Sequence, residues 1–180
     1  MQKTDCENKV NHIIRKAMFE DVERVMEIIE AAKVSLRERG VDQWQRGYPD
    51  EQSVIDDVKN GKGYVVEEDG EVIATAHISF DGEPSYEKIE GAWLSDGEFC
   101  VIHKMAVAKD RKRGGTATAI FDEAVRLAKE RGVKRLRIDT HRDNAPMRAA
   151  VAKYGFSYCG IIYLAFQDSA ERLAFEKIIS

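Results

Sequence analysis

Residues 111–117 read RKRGGTA and join an apolar run to an amphipathic one, which makes them the most informative part of the chain. Before them, residues 99–107 are almost continuously apolar and predict a buried strand. After them, apolar side chains recur at helical spacing from Ile120 to Ala128. A strand-to-helix turn leaves free backbone N–H groups at the positive end of the helix dipole, and its two glycines allow close approach. The stretch therefore predicts an anion site suited to a pyrophosphate; the alternative is an ordinary turn with solvated charges.

Outward from this turn, the hydrophobic pattern predicts a chain of mixed strands and helices. Strands are predicted at residues 12–16, 63–67, 72–80, 99–107, 135–140, 156–166 and 171–179. Helices are predicted at residues 19–40, from about residue 50 to residue 61, after residue 117 and at 145–153. Asp69-Gly70 indicates a hairpin between the second and third strands. Residues 81–97 combine glycine, proline and aromatic side chains, which is typical of a functional loop.

The composition of the 180 residues fits a single folded domain, 1–180, in which the polar residues 1–10 form a flexible tail. The net charge is −4 with both signs interspersed, so nucleic acid is not an expected partner. The longest apolar stretch, 161–166, is too short to cross a bilayer, and no signal-peptide pattern is present, which favours a cytoplasmic protein without a membrane partner. The spacing of the three cysteines indicates neither a disulfide framework nor a metal site.

Two segments carry a resemblance to a known family. Arg111, Gly114 and Thr116 stand where the cofactor motif R/Q-x-x-G-x-G/A of the GNAT acyltransferases has its defined residues. Downstream, residues 139–147 and the Tyr-Gly-Phe at 154–156 are similar to that family's N-x-x-x … G-F segment. The resemblance implies an α/β (α+β) fold: a mixed, mostly antiparallel sheet that is splayed between its fourth and fifth strands and flanked by about four helices.

The resemblance also implies acetyl-CoA as the acyl donor, bound between strands 99–107 and 135–140, and no metal. Its pantetheine arm is expected to bond to the strand backbone and to pass Asn144 and Met147, and its pyrophosphate to meet the glycine turn. The expected cofactor-binding residues are Met105, Ala106, Val107, Arg111, Lys112, Arg113, Gly114, Gly115, Thr116, Ala117, Asn144 and Met147. The acceptor amine would attack the thioester directly in a ternary complex, with proximity and oxyanion stabilisation supplying most of the rate.

The sequence departs from the family pattern at two positions. Thr116 replaces the usual Gly or Ala beside the phosphates, where its hydroxyl could donate to one of them. Val151 occupies the position that carries a tyrosine general acid in many members, and Tyr154 falls on another helix face. A CoA thiolate has a thiol-like pKa of about 8.5 and can leave largely unassisted, so transfer survives this loss.

Candidates for the general base are His103, His141 and Glu98, with an ordered water relay as a further alternative. Both histidines lie on or at the end of strands that would face the acyl group, and histidine titrates near neutrality. A structural, hydrogen-bonded role is the competing interpretation for each.

The acceptor is expected to be a small-molecule or peptide amine, and a homodimer stays open. Candidate walls of its pocket are Trp44, Tyr48, Tyr86 and Trp93, which core packing would explain equally well. Acidic residues 42, 50 and 51 would suit a cationic amine.

Two competing functions use the same residues. A catalytically silent acyl-CoA-binding regulatory domain would explain the missing tyrosine and Thr116. A cysteine hydrolase would need Cys100 beside His103, but residues three apart on a strand point to opposite faces.

Overall fold

The computed structural model describes residues 12–111, 114–167 and 169–180. Its strands are β1 (Ile13–Lys16), β2 (Gly63–Glu68), β3 (Glu71–Ser79), β4 (Glu90–Gly91), β5 (Cys100–Val107), β6 (Arg135–Thr140), β7 (Ser157–Tyr163) and β8 (Glu171–Ile178). Its α-helices are α1 (Val22–Glu38), α2 (Glu51–Lys59), α3 (Thr116–Glu130) and α4 (Ala145–Lys153), with short 3₁₀ turns at Phe19–Asp21, Pro84–Tyr86 and Lys109–Arg111. The expected tail, residues 1–10, lies outside the described part of the chain.

The eight strands form one sheet in the order β1-β2-β3-β5-β6-β8-β7-β4. Every pairing is antiparallel except that of β5 with β6. That parallel pairing covers only Cys100–Leu136 and Val101–Arg137, although both strands continue beyond it. The sheet therefore splays between the strands predicted as fourth and fifth, as the resemblance implied.

Most element boundaries follow local sequence signals. The Asp50 carboxylate accepts from the N–H of Ser53 at 2.9 Å, while the Ser53 hydroxyl accepts from the N–H of Asp50 at 3.1 Å, and this capping box begins α2. The alternating pattern near the C-terminus forms strand β8, as favoured above. One strand was not predicted: the two-residue β4 lies inside the segment interpreted as a loop and pairs with β7 at Gly160.

The two faces of the sheet are covered differently. Helices α3 and α4 pack on one face over a core that includes Phe121, Val151 and Phe175. The opposite face is shared: α1 and α2 cover the β2–β3–β5 half, and the loop around Tyr86 covers the half containing Ala174. The splay between β5 and β6 lies at the junction of these two halves. The gap between the strands therefore opens between the α1–α2 layer and the loop around Tyr86.

A β-bulge interrupts β5 at Lys104. His103 pairs with His77 and Ala106 pairs with Thr75, so two residues of β5 oppose the single Ala76. Lys104 has a φ of +50°, in the left-handed region that residues other than glycine rarely adopt. The bulge turns the chain so that His103 and Lys104 both reach the splayed region.

A buried ion pair fastens the 92–99 segment to the sheet. The Arg137 Nε–H donates to Glu176 Oε1 at 2.9 Å, and Glu176 Oε2 accepts from the Leu94 N–H at 2.5 Å. The guanidinium carbon lies 4.1 Å from the ring centroids of both Trp93 and Phe99. Glu176 is fully buried, so its charge depends on these partners.

We expect Arg137→Met to lower the free energy of unfolding by about 3–5 kcal/mol, because it leaves the buried Glu176 carboxylate without its cation. The matched control is Arg126→Met on the exposed face of α3, which should change it by less than about 1 kcal/mol. Urea denaturation of both variants measures the difference, and equal losses would show that the buried pair does not anchor the segment.

Candidate active site

A cavity of about 530 Å³ occupies the splay. Its walls come from α1 and the connection after it, from β5, from the start of α3, from the end of β6 with the start of α4, and from the β7–β8 turn. Met105, Ala106 and Val107 line it where β5 has lost its β6 partner, so an unpaired strand edge faces the cavity. Such an edge can bond to an extended amide-bearing ligand as a further strand would.

The start of α3 presents free backbone N–H groups at one end of this cavity. Gly115, with φ +81°, is the N-cap, and the first intrahelical bond runs from the Ala119 N–H to the Gly115 carbonyl. The N–H groups of the preceding helical residues have no acceptor within the helix, and residues 115–118 line the cavity. Ala117 is among these lining residues. Gly114, which directly precedes the N-cap, does not line the cavity.

The other cofactor candidates are placed as follows. The guanidinium of Arg111 bonds to Glu68 at 2.5 Å, on the β2–β3 hairpin, and Arg111 does not line the cavity. Lys112 and Arg113 lie outside the described residues. The Thr116 side chain is buried, with its hydroxyl 3.4 Å from His12 Nε2.

Asn144 and Met147 both line the cavity. The Asn144 side chain caps α4 by accepting from the Met147 N–H at 3.5 Å, and it donates to Gln43 Oε1 at 2.9 Å. This contact ties the start of α4 to the connection between α1 and α2, across the cavity.

His103 belongs to a hydrogen-bonded group that joins three distant parts of the chain. Tyr86 donates its hydroxyl to Asp139 Oδ2 at 2.7 Å, and His103 Nε2 lies 3.1 Å from both that oxygen and the Tyr86 hydroxyl. Nε2–H is thus satisfied by Asp139, which leaves the lone pair of the neutral ring on Nδ1. Nδ1 lies 3.7 Å from Glu83 Oε2.

Burial and charge compete for the pKa values of this group. Burial lowers the pKa of His103, but the hydrogen bond to Asp139 and the charges of Asp139 and Glu83 outweigh it, so the pKa of His103 is raised. Burial raises the pKa of Asp139, but its bonds to His103 and Tyr86 outweigh that effect, so the pKa of Asp139 is lowered. The pKa of Tyr86 is raised well above its ordinary value, by burial first and by Asp139 next. Both shifts stabilise the imidazolium–carboxylate pair relative to the neutral pair.

A second cavity, of about 290 Å³, adjoins the first. Tyr48, His103, Lys104 and Phe166 line both cavities. The second cavity also has acidic walls, at Asp56, Asp57 and Glu83.

One acid of the second cavity is internally compensated. Asp57 bonds to the Lys104 ammonium at 2.5 Å and to His77 Nδ1 at 2.8 Å. Burial is the main cause that lowers the pKa of His77, although Asp57 opposes it. The lining of the second cavity has three carboxylates, of which the Lys104 ammonium compensates one. Carboxylates are therefore in excess there.

The other two base candidates line neither cavity. His141, beyond the end of β6, accepts at Nδ1 from the Asp143 N–H at 3.1 Å, and burial lowers its pKa. Glu98 is exposed, and its carbonyl oxygen accepts from Arg135 at 3.0 Å.

The four aromatic candidates divide into two groups. Trp44 and Tyr48 line the larger cavity, and Tyr48 contacts Phe166 edge-to-face with centroids 5.3 Å apart. Tyr86 is bonded to His103 and Asp139, Trp93 stacks on Arg137, and neither of these two lines a cavity.

Neither Val151 nor Tyr154 reaches the site. Val151 is fully buried in the core, and Tyr154 donates its hydroxyl to Asp122 on α3 at 2.6 Å. Cys100 lies on the face opposite His103, within the α3 core, and burial raises the pKa of its thiol to about 12.

Residues 12–111, 114–167 and 169–180 contain no group of three or more His, Cys, Asp or Glu side chains that could hold a metal ion. No helix in them has the length and apolar character to span a membrane.

Sequence reasoning missed Asp139, Lys104, Gln43 and Arg172, all of which line the larger cavity. Asp139 stands inside the segment that carried the resemblance, and the two-residue period of β6 places it on the face of Arg137. The two-residue period could have shown which face of the sheet carries the Asp139 side chain. It could not have shown that Tyr86 and His103 bond to that side chain.

Comparisons with known proteins agree with this geometry. The model of the acetyltransferase (GNAT) family matches residues 17–156. A GNAT-family acetyltransferase from Streptococcus agalactiae 2603 superposes with a TM-score of 0.82 at 33% identity, over 94% of this chain and 96% of that one. Comparison with curated protein sequences returned no match.

More distant structures show the fold alone. A GNAT-family acetyltransferase from Listeria monocytogenes 4b F2365 has a TM-score of 0.70 at 17% identity, over 94% of this chain and 96% of that one. The yncA protein of Salmonella typhimurium, solved with its cofactor acetyl-CoA, has a TM-score of 0.66 at 13% identity, over 94% of each chain. With its family model matched over most of its length and a relative at 33% identity, this chain belongs to the GNAT family of acetyltransferases.

Proposed function

We propose that the protein transfers the acetyl group of acetyl-CoA to the amine of an acceptor by direct attack in a ternary complex. The observation that carries the proposal is the position of His103, in the lining of both the larger cavity and the acidic one. A histidine between two connected chambers can accept a proton from a nucleophile in one while the acyl donor occupies the other. The complex of yncA with acetyl-CoA supports the choice of donor.

The larger cavity has the features that an acetyl-CoA site requires. The free N–H groups at residues 115–118 would hold the pyrophosphate, and the unpaired edge at residues 105–107 would bond to the pantetheine amides. The bound donor supplies an acetyl thioester as the electrophile. Backbone N–H groups along the same edge would stabilise the charge that develops on the carbonyl oxygen.

His103 acts as the base through Nδ1 in this proposal. Asp139 holds Nε2–H and stabilises the imidazolium that forms, and the Tyr86 hydroxyl keeps the carboxylate in place. Glu83, near Nδ1, favours a protonated ring and an approaching ammonium. No side chain is needed to protonate the departing thiolate, since a thiol of ordinary pKa is a good leaving group.

A catalytically silent acyl-CoA-binding domain is the second candidate, and one observation favours it. The position of the family's tyrosine acid is the core residue Val151, and the nearby Tyr154 is bonded to Asp122. Incubation with acetyl-CoA and a panel of primary amines, followed by measurement of free thiol and of acetylated product by mass spectrometry, separates the candidates. Binding of acetyl-CoA without transfer to any amine would favour the silent domain.

Gly114→Glu should weaken acetyl-CoA binding by about tenfold or more, because it brings a carboxylate beside the phosphates at the start of α3. The matched control is Gly114→Ala: an added Cβ would approach the Arg111 carbonyl oxygen no closer than 3.6 Å, an ordinary contact, so affinity should stay near that of the unmodified protein. Isothermal titration calorimetry on the folded variants measures both. Equal acetyl-CoA affinities for the two variants would show that the phosphates do not bind at this turn.

The pH dependence of kcat/KM tests His103. We expect kcat/KM to rise with pH through one apparent pKa above the ordinary histidine value of about 6.5, because Asp139 and Glu83 favour the imidazolium. Asp139→Asn removes the main favouring charge, so the same limb should move to lower pH. His103→Gln should abolish the limb and lower kcat/KM by about 10²–10⁴-fold.

The comparison variant for this test is His141→Gln, which lines neither cavity and should keep the limb. If His141→Gln loses the limb and His103→Gln keeps it, the assignment of the base is reversed.

Tyr154→Phe should retain activity within a few-fold, because its hydroxyl is directed at Asp122 and away from both cavities. A hundredfold loss of kcat, about what a general acid contributes, with acetyl-CoA affinity and thermal stability preserved, would make Tyr154 the general acid instead.

A further inference from the structure

Arg172 is a buried cation in the wall of the larger cavity. Only 4% of the residue is exposed. Side chains alternate along β8, so Arg172 shares a face with Ala174 and Glu176, while Leu173 and Phe175 pack into the α3 core on the other face.

The described residues satisfy few of the hydrogen-bond donors of this guanidinium. Its Nη1–H donates to the Glu171 carbonyl oxygen at 2.8 Å, the one hydrogen bond that residues 12–111, 114–167 and 169–180 give it. No carboxylate within these ranges comes within 4.0 Å of it, and the adjacent Glu171 side chain is bonded to Arg142. Arg137, on the same face, has Glu176 as its partner. A guanidinium has five N–H donors, and burying its charge without an anion is costly.

Arg172 lies next to the proposed catalytic group. Asp139 pairs directly with Ala174, and Arg172 is the next residue of β8 on that face. Diagonal neighbours on adjacent strands have Cα atoms about 7–8 Å apart. Burial lowers the pKa of Arg172, and the charges of Asp139 and Asp42 oppose that shift without forming an ion pair with it.

The donor's phosphates do not account for Arg172. The anion site at the start of α3 belongs to the helix that packs on the opposite face, against Phe175. Arg172 instead faces the side of the sheet that carries Tyr86 and Asp139. Arg172 and the start of α3 both line the larger cavity, and the sheet face of Arg172 puts its anion in the part of that cavity beside Asp139 and His103.

We propose, on the basis of the acetyl transfer proposed above, that the acceptor is a free α-amino acid or a similarly short amino carboxylate, whose carboxylate binds to Arg172. The planar guanidinium matches a carboxylate through two parallel hydrogen bonds. The amine then faces His103, among the carboxylates of Asp139 and Glu83. One zwitterion would satisfy both the Arg172 cation and the carboxylates around His103.

An unpaired Arg172 favours acceptors that carry a carboxylate close to the amine. A polyamine has no carboxylate for Arg172. In a peptide, the α-carboxyl group beside the N-terminal amine is an uncharged amide and offers Arg172 no anion.

The reaction balances with no further reactant. The acceptor nitrogen forms a bond to the acetyl carbon as the carbon–sulfur bond of the thioester breaks. The ammonium loses two protons: one passes through His103 to solvent, and the other ends on the departing thiolate. The product keeps the carboxylate that holds it to Arg172.

The test compares acceptors that differ only in the carboxylate. The twenty amino acids are screened with acetyl-CoA for thiol release, and the best is compared with its amide and with its decarboxylated amine. We expect kcat/KM, corrected for the fraction of free amine, to be about 10- to 100-fold higher for the amino acid, as for a charge-assisted bond. Equal or faster transfer to the two analogues would overturn the inference and leave the proposed function standing.

Variants assign the preference to Arg172. Arg172→Met should abolish the ratio between amino acid and amide by slowing the amino acid alone, and Arg172→Lys should keep part of it. Arg142→Met is the matched control, because Arg142 is an exposed arginine near the same strand end that lines neither cavity, and it should keep the full ratio. A ratio unchanged in Arg172→Met would overturn the inference.

Thermal stability distinguishes a ligand-binding Arg172 from a structural one, because loss of a structural arginine would lower the unfolding temperature. Without ligand, Arg172→Met should unfold at the temperature of the unmodified protein or above it, since it removes an uncompensated buried charge. If the variant fails to fold, the comparison of acceptors on the unmodified protein still decides.

A last arm separates the two proposals. If acetyl-CoA binds but no amine is acetylated, the proposed function fails. In that case, isothermal titration calorimetry measures binding of the twenty amino acids to the protein–CoA complex. If none of them binds, the inference is overturned.

Discussion

The structure depends on the early separation of two parallel strands. β5 and β6 share two residue pairs and then diverge, which leaves backbone hydrogen-bonding groups unpaired in the middle of an eight-stranded sheet. Buried backbone groups without partners are costly, so a sheet opens in this way only where water or a ligand replaces the missing strand. The cavity, the free edge of β5 and the exposed start of α3 all follow from that divergence.

Around this opening, the chain treats its buried charges in two ways. Where a charge holds the architecture, it is fully matched: Glu176 receives Arg137 and two backbone N–H groups, which bind the 92–99 segment to the sheet. Where a charge faces the cavities, the match is partial: His103 keeps one ring nitrogen turned toward Glu83, and Arg172 has no carboxylate within 4.0 Å in the described chain. Incomplete pairing of buried groups is typical of functional sites, because the ligand completes it.

Local sequence signals predicted the fold well. Strand and helix periods, the Asp69-Gly70 hairpin signal and the glycine turn identified all four α-helices of the described residues and every strand there except the two-residue β4, which is too short to have a period. The splay itself followed from the family resemblance and not from the periods, because it depends on a register between strands about 35 residues apart. The bulge at Lys104 was not predicted, since no glycine marks it.

The candidate site was predicted less completely, for a physical reason. Most of the residues proposed to bind the cofactor lie in one local turn and along one strand edge, so neighbouring sequence indicates them. Tyr86, His103 and Asp139 meet only because β5 and β6 adjoin and the 81–97 segment folds over them. For Arg172, the period of β8 gives a direction, but the lack of an acid within reach is a property of the folded surroundings.

The positive φ of Lys104 restricts how this position can vary in evolution. Valine, isoleucine and threonine are the usual strand residues, but a branched Cβ is strongly disfavoured in the left-handed region. Glycine would relieve the backbone, and asparagine would tolerate it, yet both would remove the ammonium that bonds to Asp57 and lies 5.6 Å from the Tyr48 ring centroid. Relatives that keep the bulge but carry an uncharged residue there should therefore have lost the Asp57 contact as well, and with it the charge balance of the acidic cavity.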